Sequence, residues 1–352
     1  MLTIIYTDSA GDHTVPGARV GRTRCAGVSV QVDNSTHDVD DAAMKVLVTG
    51  GAGFIGSTLA DLLVDGGHQV VVVDDLSSGK REQVPSGANF YHMDVESRWL
   101  DRVIEREQPD AVAHLAAQIS VSRSVREPLF DARVNVMASV GLLAGCQAHG
   151  VKRFVFASTG GAIYGDAEVI PTPEDYPAAP VSPYGAGKLS FEHYLHVYRE
   201  VHGVNTVALR FANVYGPRQD PHGEAGVVAI FSRALLAGEP AVITGDGCQS
   251  RDYVYSGDVA KAVVAALKND LTGAYNVGTS IETDVNQLYE QIAAAARVST
   301  PAEHGPARPG EQRRSCVAIE HIRQDFGWAP TVSLAEGIPL TVDYFRQENT
   351  RG

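Results

Sequence analysis

The chain has 352 residues, of which 29 are Lys or Arg and 42 are Asp or Glu, so its formal net charge is −13. Such an acidic surface repels phosphate backbones, which excludes a general nucleic-acid binder, and no apolar run approaches the roughly 18–20 residues that cross a bilayer. The length fits two domains, or one large domain with insertions, of a soluble globular protein.

The cysteines and histidines carry no metal-binding signature. Cys25, Cys146, Cys248 and Cys316 are far apart, and the apolar start from Leu2 to Tyr6 is too short for a signal peptide. The sequence therefore predicts a cytoplasmic protein in a reducing compartment, with no metal site. The 35 glycines, about 10% of the chain against an average near 7%, indicate positions where the backbone turns or approaches a ligand.

Residues 1–43 mix polar residues and glycine without a period, and we predict a flexible tail that is dispensable. At Met44 the sequence changes to a strand, KVLVTG, and a predicted helix follows from about Gly53 to Asp65. The strand-like runs QVVVVDD, NFYHMDV and AVAHLAA come next. Strands that alternate with helices predict βαβ units and a parallel sheet.

The alternation continues through a helix over Val134 to His149, the strand RFVFAST, a helix from about Pro183 to Val201 and the strand NTVALRF. We therefore predict an α/β fold, a doubly wound parallel (Rossmann) sheet over residues 44–212, to which residues from about 257 to 280 return. Residues 213–348 are richer in glycine, proline and polar residues. They predict mainly a smaller substrate-binding α/β module at the carboxyl ends of the sheet strands.

A glycine-rich turn joins the first strand to the first helix. Gly50, Gly53 and Gly56 stand in GxxGxxG spacing, with Phe54 and Ile55 opening the helix. Such a turn brings backbone N–H groups close to a pyrophosphate at a helix N-terminus. The glycine turn therefore predicts a dinucleotide site.

Other residues of the predicted cofactor site follow the next strands. Asp74 ends the second strand, where a carboxylate can accept hydrogen bonds from ribose hydroxyls and repel a 2′-phosphate; this favours NAD over NADP. Asp94 is predicted either to bind the adenine amino group or to cap the next helix. The small residues Leu115, Ala116 and Ala117 would let the backbone pass close to a flat cofactor.

The main catalytic signal is a Tyr and a Lys four positions apart, Tyr184 and Lys188, at the start of a predicted helix. This spacing puts both side chains on one helix face, so the ammonium is expected to lower the phenol pKa from about 10 toward neutrality. A hydroxyl pair, Ser158-Thr159, ends the strand RFVFAST. Together these residues predict a phenolate base beside a hydroxyl.

The segments TGGAGFIG, VVDDLSSG, HLAAQ, STGGAIYG, SPYGAGK, RFANVYGPRQ and RDYVY resemble the extended short-chain dehydrogenase/reductase superfamily and, within it, the UDP-glucose 4-epimerase family. The resemblance covers nearly all of residues 44–348. It implies a permanently bound NAD, a UDP-sugar substrate and interconversion of UDP-galactose and UDP-glucose through a transient 4-keto sugar and NADH. The catalytic set that it implies is Thr159, Tyr184 and Lys188. Gly160 stands where a serine-rich version of the segment has its hydroxyl, so the hydroxyl comes from Thr159, which we favour, or from Ser158.

The resemblance also implies substrate contacts and partners. Asn213, Arg251 and Arg308 are expected at the diphosphate, Val228 at the uridine, and Ser315 as a small gate residue with room for N-acetylhexosamines. A homodimer is implied through the helices over Val134 to His149 and Pro183 to Val201.

Three alternatives remain open at this stage. In a nucleotide-sugar 4,6-dehydratase, Asp and Glu would follow the catalytic threonine, whereas Gly160 and Gly161 follow it here. A UDP-glucuronate epimerase or decarboxylase is the second alternative. A non-catalytic NAD-binding sensor on the same fold is the third.

Overall fold

The computed structural model of the chain describes residues 43–222, 226–307 and 312–351. The predicted tail at residues 1–43 therefore lies, apart from Ala43, outside the described residues.

A parallel sheet organises the first part of the fold. In the described part of the chain its seven strands run in the spatial order β10-β6-β5-β4-β1-β2-β3, and every adjacent pair is parallel. The strands are β1 Lys45–Thr49, β2 Gln69–Asp74, β3 Asn89–His92, β4 Ala111–His114, β5 Arg153–Thr159, β6 Asn205–Phe211 and β10 Gly273–Val277. The strand order reverses between β1 and β4, and α/β sheets bind ligands outside the carboxyl ends of strands at such a point.

Helices cover both faces of this sheet. They are α1 Phe54–Asp65, α2 Leu100–Glu107, α3 Val121–Arg126, α4 Pro128–Ala132, α5 Ser139–Ala148, α6 Gly160–Ile163, α7 Pro183–His202, α9 Ser256–Leu267 and α11 Glu320–Phe326, with a 3₁₀ turn at Arg81–Gln83. A π-helical segment, Arg133–Ala138, joins α4 to α5, so the helix predicted from Val134 begins earlier, with Pro128 in its first turn. Proline suits this position because a first-turn N–H has no partner within the helix.

The apolar runs of the sequence explain the central strands. Val70 to Val73 of β2 and Val46 to Val48 of β1 are buried, and the residues that point to opposite faces of the sheet belong to two separate cores. A strand covered on both faces needs apolar residues at successive positions.

The second part of the fold has smaller sheets of its own. Its strands are β7 Asn213–Tyr215, β8 Val242–Thr244, β9 Ser250–Tyr255, β11 Glu282–Asp284, β12 Glu303–Gly305 and β13 Arg314–Ser315, and its helices are α8 Val227–Leu236, α10 Val285–Ala296 and α12 Leu334–Arg351. Strand β9 pairs with β7, β11 and β13, while β8 pairs with β12. Between these elements in the chain, β10 belongs to the first sheet because it pairs with β6, and α9 packs against that sheet. Residues 319–328 also pack against the large sheet, through Ile319, Ile322 and Trp328.

One helical stretch in the described part of the chain, Pro128–Ala148, is long and apolar enough to cross a membrane by length and composition. In the fold, Leu142, Leu143 and Cys146 on one of its faces are buried against the sheet. Core helices of globular proteins can have the same length and apolar composition. This burial therefore identifies the stretch as a core helix with one exposed face.

Candidate active site

The glycine turn after β1 brings backbone close to backbone. Gly50 has φ +71°, and a Cβ on it would lie 2.7 Å from the amide nitrogen of Ala116. A Cβ on Gly56 would lie 2.0 Å from the carbonyl oxygen of Gly50, so both positions require glycine. Gly53 precedes the helix and has no side chain that could cap it. The first N–H groups of α1, at Phe54 and Ile55, can therefore serve an anion.

Asp74 is tied to this turn. Its Oδ2 accepts a hydrogen bond from the amide of Ala52 at 2.9 Å, and its Oδ1 accepts one from Leu76 at 2.8 Å. A carboxylate has about four lone-pair sites, so two backbone donors leave capacity for ribose hydroxyls. The buried carboxylate thus both fixes the turn and fits the predicted cofactor contact.

Asp94 lies on the exposed edge after β3. Its side chain accepts from the amide of Glu96 at 2.8 Å, while α2 begins only at Leu100, with Trp99 as its N-cap. The alternative that Asp94 caps the next helix is therefore wrong. The adenine contact remains a prediction.

The small residues after β4 lie against the glycine turn. Leu115 donates to the carbonyl oxygen of Thr49 at 3.1 Å, and the amide of Ala116 lies 3.3 Å from the Thr49 hydroxyl. Leu115, Ala116 and Ala117 are all half-buried. Backbone on both sides of a narrow crevice suits a flat, extended ligand.

Beneath the crevice lies a buried histidine, His114. Its Nδ1 lies 2.7 Å from the Thr49 hydroxyl and its Nε2 lies 2.9 Å from the Ser139 hydroxyl. Because Ser139 donates its proton to the carbonyl oxygen of Asn135, we assign the imidazole proton to Nε2 and the acceptor role to Nδ1. Burial lowers the pKa of His114 to about 3, so the ring is neutral.

The predicted catalytic residues meet at the end of β5. The Tyr184 phenol lies beside the Thr159 hydroxyl, which acts to lower the phenol pKa, and Lys188 Nζ donates to the carbonyl oxygen of Ala157 at 2.9 Å. Lys188 Nζ also lies 5.9 Å from the centre of the Tyr184 ring. Both side chains occupy one face of α7, as their spacing predicts.

The electrostatics of the pair differ from the sequence expectation. Burial raises the pKa of Tyr184 to about 12, with Asp131 adding to the rise and the Thr159 hydrogen bond opposing it. Burial also lowers the pKa of Lys188 to about 8, against the carboxylates of Asp131 and Glu192. The structure therefore contradicts the expected lowering of the phenol pKa toward neutrality, because burial raises that pKa.

The structure separates the two candidate hydroxyls. Ser158 Oγ donates to Glu192 Oε1 at 2.6 Å, so only Thr159 is placed against Tyr184. A Cβ on Gly160 would lie 2.8 Å from Val317 Cγ1. The position where a serine-rich segment has its hydroxyl therefore has no room for a side chain.

The segment after Thr159 lies close to residues from β7 and β13. A Cβ built on Gly161 would lie 3.6 Å from Asn213 Oδ1 and 4.0 Å from Ser315 Oγ. Ser315 of β13 also stands opposite Arg251 of β9, and Arg251 Nη1 donates to the carbonyl oxygen of Ser250 at 2.7 Å. Asn213, Ser315 and Arg251 thus lie on neighbouring segments, as a shared substrate site requires.

Two predicted substrate residues stand apart. Val228 is 1% exposed and belongs to the core of the second module, so its side chain is not placed to meet a ligand. Arg308 lies outside the described residues.

A buried polar cluster beside the catalytic pair was missed from the sequence. Asp131 Oδ1 accepts from Gln118 Nε2 at 2.7 Å and from Asn135 Nδ2 at 2.9 Å, and Asn135 lies in the π-helical segment. Asp131 Oδ2 would lie 3.4 Å from a Cβ on Gly187 of α7. The available signal was an Asp and an Asn four apart in a largely apolar helix.

The chain is similar to known proteins of one family. The profile of the NAD dependent epimerase/dehydratase family matches residues 46–278. A UDP-glucose 4-epimerase from Thermotoga maritima, solved with UDP-glucose, is 47% identical with a TM-score of 0.85, covering 87% of this chain and 100% of that one. A UDP-glucose 4-epimerase from Thermus thermophilus, in complex with NAD, is 46% identical with a TM-score of 0.83, covering 86% and 99%.

A third solved structure differs in its sugar. It is a UDP-N-acetylglucosamine 4-epimerase from Methanobrevibacter ruminantium in complex with UDP-N-acetylmuramic acid, 35% identical with a TM-score of 0.83, covering 87% of this chain and 99% of that one. With the family profile matching well over half of the chain, this protein belongs to the NAD dependent epimerase/dehydratase family.

Proposed function

We propose that this chain is an NAD-dependent UDP-glucose 4-epimerase, which interconverts UDP-galactose and UDP-glucose. The observation that carries the proposal is the position of the Tyr184 phenol beside the Thr159 hydroxyl, with Lys188 on the next turn of the same helix. It joins a proton acceptor to a hydroxyl at the carboxyl end of a sheet strand. The two UDP-glucose 4-epimerases at 46% and 47% identity support the same activity.

The cofactor contacts follow from the crevice. The N–H groups at the start of α1 would bind the NAD pyrophosphate, Asp74 the adenosine ribose and Asp94 the adenine, while Leu115 to Ala117 would line the crevice. When bound, NAD would accept the hydride of sugar C4 and return it to the opposite face of the 4-keto sugar, and its positively charged ring would favour the phenolate form of a nearby tyrosine.

Three side chains have distinct roles in the reaction. Tyr184, as phenolate, takes the proton from the sugar O4, and Thr159 holds that oxygen in line. Lys188 supplies positive charge beside the phenol and a donor toward the nicotinamide ribose. The 4-keto sugar then turns its other face to the site, and Tyr184 returns the proton to O4.

The substrate would be held by its nucleotide rather than by its sugar. Asn213 and Arg251 are proposed at the diphosphate, where a guanidinium fork suits phosphate oxygens, and Arg308 in the same role. The segment from Gly226 to Val228 is proposed to cover the uridine. Such an anchor leaves the sugar free to rotate between its two orientations.

Ser315 would set the size limit at sugar C2. Its small side chain lies near Asn213 and Gly161 and takes up less of the site than a bulkier residue would. We therefore propose that UDP-N-acetylhexosamines are also substrates, and the solved UDP-N-acetylglucosamine 4-epimerase at 35% identity supports this.

The experiment that tests the function is an assay of the purified chain with UDP-galactose and no added NAD. Formation of UDP-glucose supports the epimerase. A ketosugar product would show a 4,6-dehydratase, although Gly160 and Gly161 offer no carboxylate for the elimination of water. Bound NAD without any turnover would show a sensor.

We also propose a homodimer. Large apolar side chains are exposed on α4 to α5 and on α7: Leu129, Met137, Tyr194, Val197 and Val201. Exposed apolar side chains concentrated on adjacent helices favour a protein interface. Solution mass measurement tests it: Val197→Glu should give monomers, whereas Leu340→Glu, at another exposed apolar position on α12, should leave the dimer intact.

We infer a cytoplasmic location from the thiols. Cys146, Cys248 and Cys316 are free, and Cys248 is exposed. Free thiols without disulfides among the described residues fit a reducing compartment. Fractionation of the native cells tests this location.

A further inference from the structure

The helix that carries the catalytic pair makes a third contact with the same strand end. Tyr184, Lys188 and Glu192 are spaced four apart on α7 and lie on one face of the helix. They face three successive residues of β5: Tyr184 lies beside the Thr159 hydroxyl, Lys188 donates to the Ala157 carbonyl and Glu192 accepts from the Ser158 hydroxyl. The strand end is therefore held to the helix at three consecutive positions.

Glu192 is itself held by a buried arginine. Arg210 Nη2 donates to Glu192 Oε2 at 2.7 Å and Arg210 Nε donates to Oε1 at 3.1 Å, and the side chains are 9% and 8% exposed. Arg210 stands opposite Ser158 in the pairing of β5 with β6. Because both charges are buried, rotation of Glu192 away from this position would leave them unpaired.

The arginine extends the arrangement to the segment after β5. Arg210 Nη1 donates to the Tyr164 hydroxyl at 2.8 Å and to the carbonyl oxygen of Glu174 at 3.1 Å. Tyr164 in turn donates to Asn276 Oδ1 of β10 at 2.8 Å. Glu192 thus bonds to a rigid support and has little freedom relative to β5.

The carboxylate of Glu192 also acts on Lys188 by its charge. It raises the pKa of Lys188, as Asp131 does, against the larger lowering caused by burial. The charged and titratable groups that face Lys188 are Tyr184 and Glu192 of its own helix, Asp131 of α4 and His114 of β4.

We propose that Glu192, fixed by Arg210, is a positioning residue for the epimerase reaction, which holds Ser158 so that Thr159 meets Tyr184 and keeps Lys188 charged. The inference rests on the proposed function. It assigns to Ser158 a supporting role in place of a catalytic one. It also explains why two hydroxyl residues in succession end β5, since each is bonded to a different residue of α7.

Two variants separate the two parts of this role. Ser158→Ala keeps the buried ion pair and removes only the hydroxyl, so kcat for UDP-galactose should fall about five- to tenfold with KM unchanged. Glu192→Gln removes the negative charge that raises the pKa of Lys188. We expect kcat to fall at alkaline pH where Lys188 loses its proton, and this fall should move to lower pH by about half a unit or more in the variant. Ser190→Ala is the matched control, because that hydroxyl bonds only to Ala186 of its own helix.

The outcomes decide the proposal in each case. Bound NAD and near-UV circular dichroism report whether each variant is folded. Wild-type kcat in a folded Ser158→Ala overturns the proposal, and so does an unmoved pH profile in a folded Glu192→Gln. If Glu192→Gln does not fold, Ser158→Ala decides alone. A wild type without turnover would overturn the proposed function as well, whereas an active wild type with unchanged variants overturns only the positioning role.

Discussion

The hydroxyl of Thr159 lies beside that of Tyr184, whereas the neighbouring Ser158 donates its hydroxyl hydrogen to Glu192. The two adjacent hydroxyls therefore meet different residues of α7, and only Thr159 meets Tyr184. Thr159→Val should therefore lower kcat for UDP-galactose by about 100-fold, in the range of a lost catalytic hydrogen bond. Steady-state kinetics check this against the smaller loss expected for Ser158→Ala. Equal losses in the two variants would contradict the assignment.

Asp74 is predicted to select the cofactor. A 2′-phosphate placed beside its carboxylate meets like-charge repulsion of about 2–4 kcal/mol, which weakens NADP binding by about 30- to 700-fold relative to NAD. Calorimetric titration of the apoprotein with each dinucleotide measures the ratio. Asp74→Asn keeps an acceptor for the Ala52 amide and should narrow the difference. Equal affinities of the wild type for both cofactors would show that Asp74 does not discriminate.

Buried His114 predicts how stability depends on pH. Its pKa is about 3 in the folded chain against 6.5 for the free side chain. Between these pH values His114 binds a proton in the unfolded chain but not in the folded chain. Above pH 6.5, His114 is neutral in both the folded and the unfolded chain, and its contribution to the free energy of unfolding is complete. This contribution is lost as the pH falls from 6.5 toward 3. The free energy of unfolding should drop by about 1.4 kcal/mol per pH unit over that window.

The matched variant for this prediction is His114→Gln. Glutamine retains a donor and an acceptor for the Ser139 and Thr49 hydroxyls but does not titrate in this range. Urea unfolding at several pH values should show a shallower acid slope for the variant. The same slope in both proteins would mean that other groups cause the acid loss.

Ser315 is predicted to control the size of the sugar substituent. The purified chain should turn over UDP-N-acetylglucosamine as well as UDP-glucose, and Ser315→Tyr should abolish only the first activity. The tyrosine ring would fill the space beside Asn213 and Gly161. Product chromatography with each substrate measures the ratio. A wild type active on UDP-glucose alone would disprove the gate.

Much of the fold could be predicted from local patterns. The runs QVVVVD and RFVFAST predicted buried strands, and the spacing of Gly50, Gly53 and Gly56 predicted the turn, because these features depend on residues close in sequence. The four-residue spacing of Tyr184 and Lys188 likewise placed them on one helix face.

The remaining features depend on contacts between distant segments. The choice between Ser158 and Thr159 is made by the rotation of α7 against β5, which no local pattern shows. The raised pKa of Tyr184 arises from burial, and Asp131 of the distant helix α4 adds to the rise. The inward orientation of Val228 depends on helices α10 and α12, which pack on α8 from much later in the chain.

The account's central claim is that Tyr184 is the acid and base at the sugar O4, and Tyr184→Phe tests it most directly. The variant should be measured with UDP-galactose after its bound NAD has been quantified and its fold confirmed by circular dichroism. We predict a normal NAD content and a kcat lower by about three orders of magnitude, since the ring is retained and only the proton carrier is lost. A kcat near that of the wild type would contradict the claim.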